Sequence, residues 1–236
     1  MRIAGLQKLT LLDFPGHTAA TVFTPGCNFR CPFCHNGDLV VPFEGVRPDE
    51  IEADEVFAFL EKRHGLLDGV CITGGEPLLQ PGLADFCARV RERGFAVKLD
   101  TNGSFPDRLH ALMDKGLVDY VAMDVKNAPS RYAETVGVAN FDLAPVRDSI
   151  ELLLEGTVPF EFRTTVVQEF HTADNLEELA RWITSTPAWF LQSYLDAENV
   201  LAGPEHLHAW NPEELRALLP TLRALVPHTH LRGIDE

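Results

Sequence analysis

Residues 68–125 read DGVCITGGEPLLQPGLADFCARVRERGFAVKLDTNGSFPDRLHALMDKGLVDYVAMDV, and this run decides the fold class. It opens on a short apolar segment, Asp68–Thr73, that stops at Gly74-Gly75. Pro81–Arg93 follows with helical spacing, starting at a proline and ending against Gly94. Phe95–Asp100 is a second extended segment and stops at Thr101-Asn102-Gly103. Pro106–Lys115 is a second helix closed by Gly116, and Asp119–Val125 is a third strand. Strands and helices that alternate over short links imply parallel strands joined by right-handed crossovers.

The alternation extends both ways. Upstream, His17–Thr24 is β-branched and apolar, a long loop runs from Pro25 to about Glu52, and Ala53–His64 sets Val56, Phe57 and Leu60 on one helical face. Downstream come a helix at Asp142–Glu155 closed by Gly156, a strand at Pro159–Val167, a helix at Asn175–Ser185, a strand at Trp189–Tyr194 and a last helix at Pro212–Leu225. Six strands arranged in this way fit an open doubly wound sheet or an incomplete barrel, and periodicity does not separate the two. No Ser/Gly/Pro-rich linker, low-complexity run or repeat divides the chain, so residues 1–236 are read as one domain.

Composition bounds the function. The chain has 236 residues, 45% hydrophobic and 23% charged, values that exclude a disordered or fibrous protein. Thirty-five acidic residues against 20 basic ones give a net charge of −15, which repels nucleic-acid backbones and anionic membranes. Lys8, Arg30 and Arg47 are available for a local basic patch. Met1–Gly16 is interrupted by Lys8 and Asp13 and lacks a small-residue cleavage pattern, and no apolar run is long enough to span a bilayer. Of five cysteines, three crowd together at Cys27, Cys31 and Cys34. An odd count with tight spacing points to metal or redox chemistry in a reducing cytoplasm, not to a disulfide framework.

The unusual residues fall where parallel α/β folds do their chemistry, at the carboxyl ends of the strands. The cysteine loop follows the first strand, Gly74-Gly75-Glu76-Pro77 the second and Asp100-Thr101-Asn102-Gly103 the third, while Asp124 and Lys126 end the fourth. Cys27, Cys31 and Cys34 have C-x3-C-x2-C spacing, and three thiolates on a [4Fe–4S] cluster leave one iron open to a ligand. On these residues alone other readings stay open: a zinc site with His35 as fourth ligand, a C-x-x-C-H haem attachment, or a Cys31/Cys34 redox pair. Cys71 in a strand and Cys87 in a helix read as small buried hydrophobes. Gly74 and Gly75 allow close backbone approach to a ligand, and Glu76 adds negative charge there. Asp124 and Lys126, two apart, share one strand face, and a buried carboxylate calls for a cation.

With Phe33 before the last cysteine, the C-x3-C-x2-C segment resembles the signature of the radical S-adenosylmethionine (SAM) superfamily, and Gly74-Gly75-Glu76-Pro77 resembles that superfamily's second signature. The resemblance implies a partial (βα)6 TIM-like barrel, which selects the incomplete barrel. Leu6–Pro15 (LQKLTLLDFP), Thr24–Asn36 (TPGCNFRCPFCHN) and Leu99–Gly103 (LDTNG) are similar to the glycyl-radical-enzyme activases, above all those of anaerobic ribonucleoside-triphosphate reductase, with pyruvate formate-lyase activases as near relatives. The likeness is strong through the fifth strand and weak after it.

The same resemblance implies the site and its partners. Cys27, Cys31 and Cys34 hold the cluster. Phe33, Gly74, Gly75, Glu76, Pro77, Asp100, Asp124 and Arg163 bind SAM, and Lys126 reaches its carboxylate. Asp13 touches the partner's glycyl loop, although Phe14 stands where the pyruvate formate-lyase relative has glycine. An alkali cation sits among Asp100, Thr101, Asp124 and the Met123 carbonyl, while His35 and His171 are left as loop residues without a reacting role. The implied reaction is reductive cleavage of SAM to a 5′-deoxyadenosyl radical, followed by hydrogen abstraction from a glycine of the partner. The partners are a glycyl radical enzyme, foremost anaerobic ribonucleotide reductase, and a one-electron donor such as flavodoxin or ferredoxin. The alternative is a radical SAM enzyme acting on a small molecule or peptide, for example a deazaguanine synthase.

Overall fold

The computed structural model describes residues 1–40 and 50–234. Arg47 and the middle of the loop expected at Pro25–Glu52 lie outside those residues. Among the described residues eight strands form one sheet in chain order: β1 (Gly5–Thr10), β2 (Ala19–Thr24), β3 (Gly69–Gly74), β4 (Ala96–Thr101), β5 (Tyr120–Asp124), β6 (Phe160–Val166), β7 (Trp189–Ser193) and β8 (Thr229–Arg232). From β2 to β8 every neighbouring pair is parallel, whereas β1 runs antiparallel to β2. Among the described residues β1 and β8 do not pair, so the sheet curves without closing. This is the partial barrel expected from the resemblance, with one additional strand at each edge.

Among the described residues eight α-helices connect or flank the strands: α1 (Gly37–Val40), α2 (Ala53–Glu61), α3 (Leu83–Glu92), α4 (Pro106–Asp114), α5 (Tyr132–Val136), α6 (Ala144–Glu155), α7 (Ala173–Trp182) and α8 (Pro212–Leu225). The strands read from the sequence all recur within two residues at each end, and the six long helices within three. The edge strands β1 and β8 lack the pattern that marks the others. β1 is half exposed and carries Gln7 and Lys8, and β8 is four residues long. A strand paired on one side needs no run of buried apolar residues, so its sequence resembles a loop.

The two faces of the sheet differ in chemistry. On the outer face Val70, Ile72, Val97, Leu99 and Val121 have no exposed surface and pack with Phe86 and Val90 of α3, Leu109 of α4 and Ile150 of α6. Each such side chain contributes roughly 1.5–3 kcal/mol by leaving water. The inner face is polar: the register sets Thr21, Cys71, Lys98 and Tyr120 side by side across β2–β5, and Asp124 beside Arg163 across β5–β6. The sheet therefore places its apolar core outside the barrel and its charged residues within. Among the described residues no helix is long and apolar enough to cross a membrane.

Candidate active site

The carboxyl ends of β3–β7 surround a cavity of about 270 Å³. Cys27, Cys31 and Cys34 line it together with Phe33, Gly74, Gly75, Asp100, Asp124, Lys126 and Arg163. Ten of the thirteen residues expected at the site thus meet in one place, while Glu76, Pro77 and Asp13 lie outside the lining.

Local chain geometry holds the cysteine loop. The Cys34 N–H donates to the Cys31 carbonyl at 3.0 Å, and the Arg30 guanidinium donates to the Cys27 and Phe29 carbonyls at 2.6 and 2.7 Å. A segment after β7 straps the loop from outside: Leu201 N–H reaches the Cys34 carbonyl at 3.0 Å, and Ala202 N–H the Pro32 carbonyl at 2.9 Å. Asn199 Nδ2 donates to the His35 carbonyl and His35 Nε2 bonds to the Leu195 carbonyl. His35 is therefore tied to the loop's support. Phe33 is buried, and its ring packs 5.8 Å from that of Phe170 and 6.4 Å from that of His171. It anchors the loop and also faces the cavity.

The Gly74-Gly75 turn does more than clear space for a ligand. Gly75 N–H donates to Thr24 O and Glu76 N–H to Gly26 O, both at 2.8 Å. A Cβ on Gly75 would lie 2.0 Å from Gly26 O, and one on Gly74, whose φ is +112°, would lie 2.4 Å from Thr24 N. The two signature segments pass too closely for any side chain, and Asn36 Nδ2 adds a bond to Gly74 O at 2.9 Å.

Glu76 differs from expectation. Its side chain is wholly buried and turned into the chain: Oε1 accepts from Leu78 N–H at 3.0 Å and from Thr101 Oγ1 at 2.9 Å, and Oε2 from Asn102 N–H at 2.7 Å. Burial pushes its carboxyl up to about 7 despite these three donors. Glu76 thereby fixes Asn102, whose Nδ2 lies 3.7 Å from Cys27 Sγ and 3.0 Å from Asn28 Oδ1. Pro77 opens the short turn that Glu76 caps. Asp13 is at the other end of the barrel. β1 leads away from the cysteine rim, so Asp13 meets the start of β2, where Thr21 Oγ1 donates to its Oδ2 at 2.6 Å.

Charged side chains form a chain beneath the cavity. Lys126 Nζ meets Asp124 Oδ2 at 2.8 Å, Arg163 Nε meets Asp124 Oδ1 at 2.8 Å, and Arg163 Nη1 meets Asp100 Oδ2 at 3.0 Å. Lys98, buried in β4, completes the row at Asp100 Oδ1. Burial opposes ionisation of both carboxyls, but Arg163 together with Lys126 at Asp124 and Lys98 at Asp100 outweighs it, and both stay below their ordinary range. Lys98 was not among the residues singled out in the sequence, and Asn102 was noted there only as part of the Asp100–Gly103 segment. The signal for Lys98 was a lysine inside an apolar strand, two residues from Asp100 and so on its face. His171 also lies outside the lining. Its Nε2–H donates to the Lys126 carbonyl at 2.9 Å and its Nδ1 accepts from Val167 N–H at 3.2 Å, which steadies the backbone that carries Lys126.

The sequence profile of the Radical SAM superfamily matches residues 21–183, more than half of the chain. The chain belongs to the radical SAM superfamily. It is 32% identical to a Methanocaldococcus jannaschii protein named as a glycyl-radical enzyme activating enzyme, over 99% of this chain and 96% of that one. It is 30% identical to a 7-carboxy-7-deazaguanine synthase of Koribacter versatilis, over 86% and 84% of the two chains. Streptococcus suis SuiB bound to S-adenosylmethionine shares the fold, with a TM-score of 0.68 and 13% identity; the match covers 90% of this chain and 52% of SuiB.

Membership in the radical SAM superfamily implies a [4Fe–4S] cluster and SAM. The thiols fit the cluster: all three line one cavity, Cys31 is buried, and the Lys126 ammonium favours the thiolate that a cluster needs against the burial that opposes it. Among the described residues no three Cys, His, Asp or Glu groups are close enough together to hold a single metal ion.

Proposed function

We propose that this protein is a radical SAM activase that places a glycyl radical on a partner enzyme, with anaerobic ribonucleoside-triphosphate reductase as the foremost candidate. The observation that carries the reading is the near end-to-end match to a glycyl-radical enzyme activating enzyme, which covers more of both chains than the match to the Koribacter versatilis synthase. Cys27, Cys31 and Cys34 hold the cluster, which supplies one electron to the SAM sulfonium when reduced. Lys126 offers its ammonium to the SAM carboxylate from one side of the cavity, held in place by Asp124. Gly74 and Gly75 present backbone groups, and Phe33 and Phe29 keep water from the cysteines. Asp13 lies outside the cavity lining, bound to Thr21, and in this reading serves the partner's glycyl loop and not SAM. The electron donor in this reading is a small one-electron carrier of the flavodoxin or ferredoxin kind.

The test is anaerobic incubation of the reconstituted protein with SAM, a reductant and the glycyl radical enzyme of its own source. The expected outcome is a doublet in the electron paramagnetic resonance spectrum of the partner that vanishes when the partner's glycine is replaced by alanine. Cys27→Ala, Cys31→Ala and Cys34→Ala each abolish SAM cleavage, whereas Cys71→Ala and Cys87→Ala keep their iron. Cleavage of SAM with no radical on the partner, coupled to stoichiometric turnover of a small molecule, would replace this reading with the small-molecule alternative.

A further inference from the structure

Asp100 and Asp124 offer four carboxylate oxygens at the floor of the cavity, and each has its own cationic partner. Lys98 takes Asp100 Oδ1, Arg163 Nη1 takes Asp100 Oδ2 at 3.0 Å, Arg163 Nε takes Asp124 Oδ1 at 2.8 Å, and Lys126 takes Asp124 Oδ2 at 2.8 Å. The Thr101 hydroxyl, a further expected ligand, donates to Glu76 Oε1 at 2.9 Å and accepts from Gly103 N–H at 3.2 Å. Three side-chain cations therefore occupy the four oxygens of these two carboxylates. An alkali ion placed here would compete with a lysine or arginine already bound at each of the four oxygens. These residues do not fit the expected alkali cation.

We infer that Lys98 is a built-in substitute for that cation: a positioning residue whose ammonium fixes Asp100, and through it Arg163, so that SAM binding needs no added monovalent ion. Its placement supports this. Lys98 is 1% exposed and lies two residues before Asp100 on the same strand face, so it approaches from inside the barrel. Its other close neighbour is Cys71 Sγ at 3.9 Å, a weak partner that does not compensate a buried ammonium. A buried charge without its counter-ion is costly, so Lys98 and Asp100 hold each other in place. An ammonium fixed to the strand also loses little freedom on docking, whereas a free ion must be captured from solution. The inference rests on superfamily membership and is independent of the glycyl-radical reading, because SAM cleavage is measured without any protein partner.

The experiment compares KCl, NaCl and choline chloride at equal ionic strength. The wild-type protein is expected to show the same KM for SAM in reductive cleavage in all three, and its cluster-free form the same Tm. Lys98→Met keeps the apolar stem and removes the charge. Its KM in choline should rise about 10- to 150-fold, the effect of losing one charge-assisted hydrogen bond. KCl or NaCl should restore much of that loss and raise the Tm of the cluster-free variant selectively. A wild-type protein that gains affinity or Tm from K⁺ or Na⁺ over choline overturns the inference, and this arm requires no variant to fold. A folded Lys98→Met with unchanged KM, or with a raised KM that neither ion restores, overturns it as well.

Discussion

Glu76 has both carboxylate oxygens engaged by its own chain, with two donors on Oε1 and one on Oε2. An amide supplies one acceptor oxygen, so Glu76→Gln sets an NH₂ against an N–H donor. It is expected to lower folding stability by about 1–3 kcal/mol, the usual effect of an orphaned buried group. The pH dependence has a definite sign. Burial raises the folded carboxyl from 4.5 to about 7, so its contribution is full below 4.5 and is lost as pH rises through about 7. The gap between wild type and variant should be widest near pH 5 and narrow by pH 8, measured by urea unfolding of the cluster-free proteins. A gap independent of pH would return Glu76 to an ordinary carboxyl. The residue's importance was legible from its place in the Gly-Gly-Glu-Pro signature. Its inward direction was not, because Thr101 and Asn102 come to it from a different strand.

At the scale of elements, the site depends on two loops that touch through backbone. Gly75 admits no Cβ, since the carbonyl of Gly26 would lie 2.0 Å from it. Gly75→Ala should force the cysteine loop off the turn after β3 while β3 keeps its pairings to β2 and β4. The expected result is a variant with wild-type far-ultraviolet circular dichroism whose iron and sulfide content after anaerobic reconstitution falls by at least half. Full iron content in Gly75→Ala would show that the cysteine loop closes on its cluster without help from the turn. The strap formed by residues 195–203 supports the same loop from the other side, through the carbonyls of Pro32, Cys34 and His35. Nothing in its sequence announces this, because its bonds run through its own backbone and one asparagine, over more than 160 positions.

At the scale of the whole molecule, the chain carries a net charge of −15. An acidic one-electron donor is therefore repelled at long range. The bimolecular rate of reduction by flavodoxin should rise as NaCl goes from 10 to 100 mM, over which the screening length shortens from roughly 30 to 10 Å. Stopped-flow absorbance measures it, and a rate that falls with salt would show that a local basic patch governs docking. Arg30, one candidate for that patch, has its guanidinium bound to carbonyls of the cysteine loop. By itself the sequence determined the alternation of strands and helices, the rim on which the chemistry sits and the three thiols. These are local properties, set by side-chain period, by glycine and proline punctuation, and by three cysteines within eight residues. Only the tertiary structure decided the rest: β1 reversed so that Asp13 lies outside the cavity lining, Gly75 against Gly26, and Arg163 shared between Asp100 and Asp124. Such pairings follow from strand register and barrel curvature, which bring together residues dozens of positions apart, and no local pattern in a single chain records them.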